Sequence, residues 1–260
     1  MPVASDDCHA REAALHDLTI ALTRANRELE QFTAVAAHDL QEPLRLMTSF
    51  TELFARRYQH VVDETGQQYL HYALTGARQM KALIADLLQY TRISSELDPH
   101  QPVALTEPAH QAARTLESLL ADCAGCIEWH PLPVVHANPA HMQLLFYHLL
   151  RNALLYRRDE HSRPSVRVDA ARTTDAWQIA IHDNGPGIAP EYRDRVFMIF
   201  QRLTRDRGQA GTGIGLALCK RIVEMHGGRI WLESNAEGGT SVLFTLPDHG
   251  AGDGTAHTGH

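Results

Sequence analysis

Leu15, Leu18, Leu22, Ala25, Leu29, Phe32 and Ala36 are separated by alternating steps of three and four, the seam of a coiled coil. The seam slips to Leu40, Leu44 and Met47 before reaching Phe54, and no strong breaker follows until DETGQQ at 63–68. A helix from about Arg11 to Tyr58 would be ~70 Å long at 1.5 Å per residue. Such a helix is not stable alone in water, so its apolar stripe needs a partner. The next stretch offers one: Leu70, Ala73, Ala77, Met80, Ile84 and Leu87 repeat the same steps, and the pattern stops at RISSELDP. Two helices joined by a short turn form an antiparallel hairpin. One hairpin leaves its seam half open, whereas two from separate chains close a four-helix bundle. A homodimer is therefore expected. The alternative is an intramolecular bundle packed on the rest of the chain.

Residues 94–102, SSELDPHQP, read as a linker. Beyond it, strand-like runs alternate with helices. PVAL is followed by a helix from about Pro108 to Leu120, then CIEWH, PVVH and a helix from Pro139 to about Arg158. Strands SVRVDAART and AWQIAIHD come next, then a short helix near Glu191, a helix from about Gly213 to Met225, and final strands RIWLES and TSVLFTLP. Mixed strands with helices kept to one side imply an α+β sandwich.

A formal net charge of −7 gives no basic surface for nucleic acid or an anionic membrane. No apolar run approaches the ~18 residues that span a bilayer. MPVASDDCHAREAAL lacks the basic and apolar regions of a secretory signal. A cytoplasmic location without membrane insertion is expected. Four cysteines do not make a disulfide scaffold in a chain of this size, and the lone Cys123–Cys126 CxxC reads as a helix end running into a strand. The Gly-rich tail GAGDGTAHTGH reads as disordered.

Three segments carry chemistry. In HDNGPGI, a buried strand ends at Asp183 and places a carboxylate at the sheet rim, where it can accept a hydrogen bond from an exocyclic amine such as that of adenine. Gly185 and Gly187 permit tight turns there; a plain Asx turn is the alternative. In GTGIGLALCKRIVEMHGG, Gly211, Gly213 and Gly215 run into an amphipathic helix whose free N–H groups suit phosphate. The spacing is not that of a Rossmann fingerprint, and no strand precedes it. In HLLRNALLYRR, His148, Asn152 and Leu155 or Tyr156 share a helical face. The Asn152 carbonyl can ligate Mg²⁺ or satisfy buried backbone groups.

Taken in order, the Asn152 helix, DNGPGI, RVFMIFQRL and GTGIGL resemble the N, G1, F and G2 boxes of sensor histidine kinases, and AAHDLQEPLR resembles their H box. The resemblance covers about residues 26–247. It implies a coiled-coil signal helix over 1–25, a dimerisation and phosphoacceptor domain over 26–94, and a linker over 95–101. A Bergerat-type ATP-binding sandwich over 102–248 and a tail over 249–260 complete the chain. His38 is then the phosphoacceptor, standing off the seam where it projects into water, and Asp39 holds its tautomer or takes its proton. Pro43 deprives the Asp39 carbonyl of its helical donor and loosens the reactive turn.

By the same resemblance Asp183 reads adenine while Gly185 and Gly187 shape its pocket. Asn152 ligates Mg²⁺ and Tyr156 lines base or ribose. Phe197 and Phe200 anchor a lid at about 203–210, and Gly211, Thr212, Gly213 and Gly215 wrap the phosphates. The motifs also bring Ile188, Ile214 and Leu216 to the nucleotide, and lid residues Arg202, Arg205 and Arg207 are candidate γ-phosphate contacts.

This chain departs from the family pattern at three places. His148 replaces the usual first Asn and is a weaker Mg²⁺ ligand. Leu155 replaces a Lys that contacts phosphate, with Arg151, Arg157 and Arg158 as candidate substitutes. Glu42 replaces the Thr or Asn that places water for dephosphorylation; HDLQEPLR resembles the phytochrome-linked branch, where Glu is usual. No sensor domain precedes the bundle, so either the chain is an excerpt or a separate sensor protein docks on the N-terminal coiled coil. The resemblance implies an ATP-dependent histidine kinase that autophosphorylates His38 and passes the phosphoryl group to a response-regulator receiver. A phosphotransfer or scaffold dimer with a degenerate nucleotide domain is the alternative.

Overall fold

The computed structural model describes residues 3–58, 60–93, 100–159, 162–203 and 211–248. The chain divides into two compact units, Met1–Glu96 and Leu97–His260.

In the first unit, α1 (Val3–Tyr58) and α2 (Glu64–Arg92) pack together as a hairpin. Asp63 caps α2, its carboxylate accepting the Gly66 N–H at 2.8 Å. α1 continues across Pro43. The proline withholds one N–H from the helix ladder. Of the expected seam, Leu44 and Ala77 are buried, together with Ala37; Leu40, Met47, Phe54 and Met80 stand exposed. The orientation of the His38 imidazole, the seam positions Leu15, Leu22, Ala25, Leu29 and Phe32, and the 249–260 tail lie outside the described residues.

The second unit opens with β1 (Gln101–Ala104), which pairs antiparallel with β3 (Val134–Ala137). Between them lie α3 (Thr106–Thr115), α4 (Glu117–Asp122) and β2 (Cys126–Trp129). The single helix expected over 108–120 is broken at Leu116. This residue leaves helical geometry at φ −99° and ψ 9°, and its N–H bonds the Ala113 carbonyl three residues back. No Gly or Pro marks the break, and the Leu116 side chain is buried there; the three-residue hydrogen bond is that of a tightened helical turn. Cys123 closes α4 and Cys126 opens β2, the helix-to-strand passage expected of the CxxC.

Asn138 accepts the N–H groups of Ala140 and His141, and Pro139 occupies the first turn, so α5 (Pro139–Leu155) starts where both signals agree. It stops three residues before the expected Arg158. β4 (Ser165–Arg172), β5 (Ala176–Asp183), α6 (Gly215–Met225), β6 (Ile230–Ser234) and β7 (Thr240–Pro247) complete the unit. The five-stranded sheet runs β2-β4-β5-β7-β6, parallel at β2–β4 and antiparallel elsewhere.

Register sets the core. Val168, Ile181 and Val242 lie across from one another, as do Ile179 and Phe244, and all are buried. α5 packs on β4 and β5, and α6 on β6 and β7; Phe146 of α5 meets Phe244 edge-on at 6.2 Å. His226 ties the two helices together. Its Nδ1–H donates to the Ile222 carbonyl at 2.7 Å, while Nε2 accepts the Asn138 N–H at 3.1 Å. That pairing requires a neutral ring, and burial pulls the His226 pKa down to about 4.

Candidate functional site

β5 alternates, so its final residue falls on the face that Ile179 and Ile181 share. Asp183 therefore turns toward the helices, where the sheet stops covering them. A cavity of about 270 Å³ opens there. Ile181, Val242, Leu232 and Val196 give it apolar walls, while Asp183, Asn152, Thr240 and Thr212 supply polar groups. A largely apolar cavity with a few placed polar groups is the usual setting for a small-molecule ligand.

Asp183 is fixed before any ligand arrives. Its Oδ1 accepts the N–H of Gly185 at 2.8 Å and of Thr240 at 3.0 Å, which makes Oδ2 the oxygen offered to the cavity. Burial raises its pKa above the ordinary carboxylate value; the Thr240 and Gly185 N–H groups oppose that shift, as do His182 and Arg158. His182 lies on the opposite sheet face, with Nε2 3.2 Å from Asp169 and Nδ1 2.6 Å from the Ser241 hydroxyl.

α5 contributes at its C-terminal end. Asn152 and Arg151 line the cavity, and Tyr156, just past the helix at φ −87° and ψ 85°, lines it as well. Tyr156 thus leaves the helical face predicted for it and reaches Gly211 instead, where a side chain would meet its hydroxyl. His148 does not line the cavity. It is 2% exposed and packs beneath Gly215, where a Cβ would come within 2.9 Å of Nδ1. One turn earlier than Asn152, His148 lies under the α6 start at Gly215 and is itself not on the cavity wall.

α6 begins at Gly215, two residues later than expected. Gly211, Thr212, Gly213, Gly215 and Leu216 line the cavity, as do Gly187 and Ile188. Three of the expected residues do not line it. Gly185 supports Asp183 through its N–H, and Ile214 is fully buried. Phe200 is exposed at φ 65° and donates its N–H to the Gly213 carbonyl at 2.9 Å. The helix expected near Glu191 is two short 3-10 turns, Pro190–Tyr192 and Arg195–Phe197, with Phe197 buried at the second. Arg202 lines the cavity; residues 204–210, with Arg205 and Arg207, lie outside the described residues.

The three arginines near the missing lysine separate clearly. Arg151 is on the cavity wall, and Arg157 is not among its lining residues. Arg158 donates to the carbonyls of Gly185 and Glu237. Sequence reasoning missed Thr240 and Asn235, whose GGT and turn-like NAEGG signals gave no hint of β5 nearby.

Asn152 lines the cavity, and an amide oxygen is a donor that suits a hard divalent cation. Among the described residues no cluster of three His, Cys, Asp or Glu side chains could hold a metal. Nor is any helix among them long and apolar enough to cross a membrane.

Residues 28–96 match the family model of the His Kinase A (phospho-acceptor) domain. Residues 137–250 match that of the histidine kinase-, DNA gyrase B- and HSP90-like ATPase. The chain is 38% identical to cyanobacterial phytochrome A of Nostoc sp. over 234 residues, 90% of this chain and 30% of that protein. It is 31% identical to the adaptive-response sensory kinase SasA of Synechococcus elongatus, covering 87% of this chain and 61% of the relative. The chain thus spans about a third of the phytochrome relative and under two thirds of the kinase. The crystal structure of full-length ShkA in complex with AMPPNP is similar in fold, with a TM-score of 0.61 at 21% identity, over 84% of this chain and 45% of that one.

Proposed function

We propose, from the premise that this chain belongs to the sensor histidine kinase family, that it is an ATP-dependent kinase that phosphorylates its own His38. The observation that carries the reading is Asp183. A half-buried carboxylate, pinned through one oxygen by two backbone N–H groups, leaves the other to a cavity with apolar walls. Asp183 accepts the exocyclic amine of adenine while Tyr156 covers base or ribose. The 211–215 loop and the α6 start hold the phosphates. Arg151 and Arg202 supply the cationic contacts that Leu155 cannot.

Mg²⁺ fits this donor set through the Asn152 amide oxygen, and when bound it neutralises phosphate charge. An unprotonated nitrogen of His38 attacks the γ-phosphorus, an N–P bond forms, and the bond to the bridging oxygen breaks to release ADP. Asp39, exposed on the next residue of α1, holds the tautomer or takes the ring proton. The phosphoryl group then passes to an aspartate of a response-regulator receiver. The working unit is a homodimer closed through the exposed hairpin faces, in the cytoplasm, with input from a sensor module in the same or a separate protein. An open cavity with Asp183 on its wall favours this reading over a degenerate phosphotransfer scaffold.

The deciding experiment is incubation with γ-labelled ATP and Mg²⁺. Acid-labile, base-stable label should appear on the wild type and be absent from His38→Gln. Equal label on the variant would refute the assignment.

A further inference from the structure

Two side chains outside the cavity, Asn235 and Arg158, hold the β6–β7 turn against the end of β5. Asn235 uses its whole amide. Nδ2 donates to the carbonyls of Asp183 at 2.7 Å and Thr240 at 3.3 Å. Oδ1 accepts the N–H of Glu237 at 3.1 Å and of Gly239 at 2.8 Å. That exhausts its two donor hydrogens and two lone pairs. The approach is so close that a Cβ on Gly239 would overlap the Asp183 carbonyl oxygen. It delivers the Thr240 N–H to Asp183 Oδ1.

Arg158 closes the same junction from the other side. Its Nε donates to the Gly185 carbonyl at 3.0 Å and its Nη2 to the Glu237 carbonyl. One guanidinium therefore spans the loop after β5 and the turn before β7. A planar fork can bond two carbonyls at once; an ammonium on a flexible stem cannot keep both in the same geometry.

We propose that Arg158 and Asn235 are positioning residues for purine recognition, clamping the β6–β7 turn onto the Asp183 loop so that the carboxylate is aimed before the nucleotide arrives. The inference rests on the nucleotide reading above and extends it to residues outside the cavity. Neither residue lines the cavity, so neither touches base or phosphate. Their contribution is preorganisation. Without the clamp, the Thr240 N–H leaves Oδ1, the carboxylate gains rotational freedom, and ligand binding must restore that order at a cost in affinity. The phosphate end, formed by the 211–215 loop, Arg151 and Arg202, is left intact. Loss of the clamp therefore weakens binding and spares the chemical step.

The test uses the full chain, with ADP binding by calorimetry and autophosphorylation against ATP concentration. Arg158→Met and Asn235→Ala should each raise the ADP Kd and the ATP KM about tenfold, the scale of losing bonds from a charged or fully engaged donor. The rate at saturating ATP should stay within about twofold. Arg158→Lys keeps the charge and stem but should recover less than half of the lost affinity. Unchanged ADP affinity in folded Arg158→Met and Asn235→Ala overturns the clamp, as does a lower saturating rate at unchanged KM. Should Arg158→Met not fold, Arg158→Lys decides by the same measurements; failure of both to fold assigns Arg158 to folding alone and also overturns it. A wild type that binds no ADP would instead refute the nucleotide site itself.

Discussion

Phe146, Phe244 and Leu150 of the Leu97–His260 unit are fully buried, whereas Phe50, Met47 and Leu53 of the hairpin are 66%, 62% and 60% exposed. The residue types are alike and the outcomes opposite. A sheet with α5 and α6 on one face closes its own core, because strand alternation gathers the apolar side chains into one layer. Two helices cannot do this: each apolar stripe is wider than the line of contact with a single neighbour. Fully burying such a side chain contributes about 1.5–3 kcal/mol, and the hairpin has not yet collected it. The difference teaches that a sheet with helices on one face closes its core within one chain, whereas the hairpin leaves apolar side chains exposed.

Core truncation is the strongest way to break that contrast. Phe146→Ala should destabilise the α/β unit by about 3–5 kcal/mol, with no dependence on protein concentration in urea unfolding. Phe50→Ala should cost little where the protein is dilute and monomeric. At concentrations that favour the dimer it should approach a core cost. Wild-type hairpin unfolding that ignores protein concentration would erase the distinction and return the intramolecular bundle as the better description.

Acidification should single out the α/β unit. His226 is held neutral by its two hydrogen bonds, and its pKa lies near 4 against an ordinary 6.5. The unfolded chain takes up the proton first as pH falls, so stability is intact above pH 6.5 and drains away toward pH 4. The loss is roughly 3 kcal/mol. In His226→Gln, which can still accept the Asn138 N–H, that slope between pH 6.5 and 4 should disappear from the α/β transition. The hairpin transition should not change.

Asp183→Asn separates binding from folding within the same unit. An amide there points a donor, or a weaker acceptor, at the base, and ADP affinity should fall about tenfold to a hundredfold by calorimetry. The folded-state pKa of Asp183 is raised by burial. Its carboxylate therefore costs stability in full above the raised folded-state pKa; the cost fades as pH falls through that value and is gone below the unfolded-state pKa. At neutral pH the ligand-free variant should melt no lower than wild type, since an Asn oxygen can still accept the Gly185 and Thr240 N–H groups. Wild-type ADP binding should also weaken on acidification through the raised pKa, and the variant should show no such dependence.

The two units also differ in how much of each could be read from the sequence. The β4, β5 and β7 runs could be placed as strand-like stretches, and the start of α5 at Pro139. Asp183 was legible because the strand before it is apolar and DNG punctuates its end. What was hidden is nonlocal. Leu116 breaks a helix without Gly or Pro to announce it. Asn235 looks like ordinary turn chemistry, and only the adjacency of β5 and β7 makes it a partner of Asp183. His148 shares a helical stripe with Asn152, yet one turn of rise moves it under Gly215 and off the cavity wall. In the hairpin the 3-4 repeat located both helices, but it mixes positions that face α2 with positions that face outward. Leu44 and Leu40 are indistinguishable by spacing and opposite in burial.

The smallest effect tests what the hairpin can do by itself. Arg78 of α2 reaches Glu52 of α1 at 3.2 Å, with the two side chains 66% and 36% exposed. A pair so placed is screened by water and salt and contributes about 0.2–1 kcal/mol. The contacts of Ala37, Leu44 and Ala77, not this charge pair, then set the hairpin's own stability. Arg78→Met should lower hairpin stability in urea by less than about 1 kcal/mol, with the difference vanishing near 1 M salt. A salt-insensitive loss well above that range would mean that the pair is desolvated when the protein is at working concentration. Glu52 and Arg78 would then lie inside the surface that a second chain covers, and the exposed face of the hairpin would have to be redrawn around them.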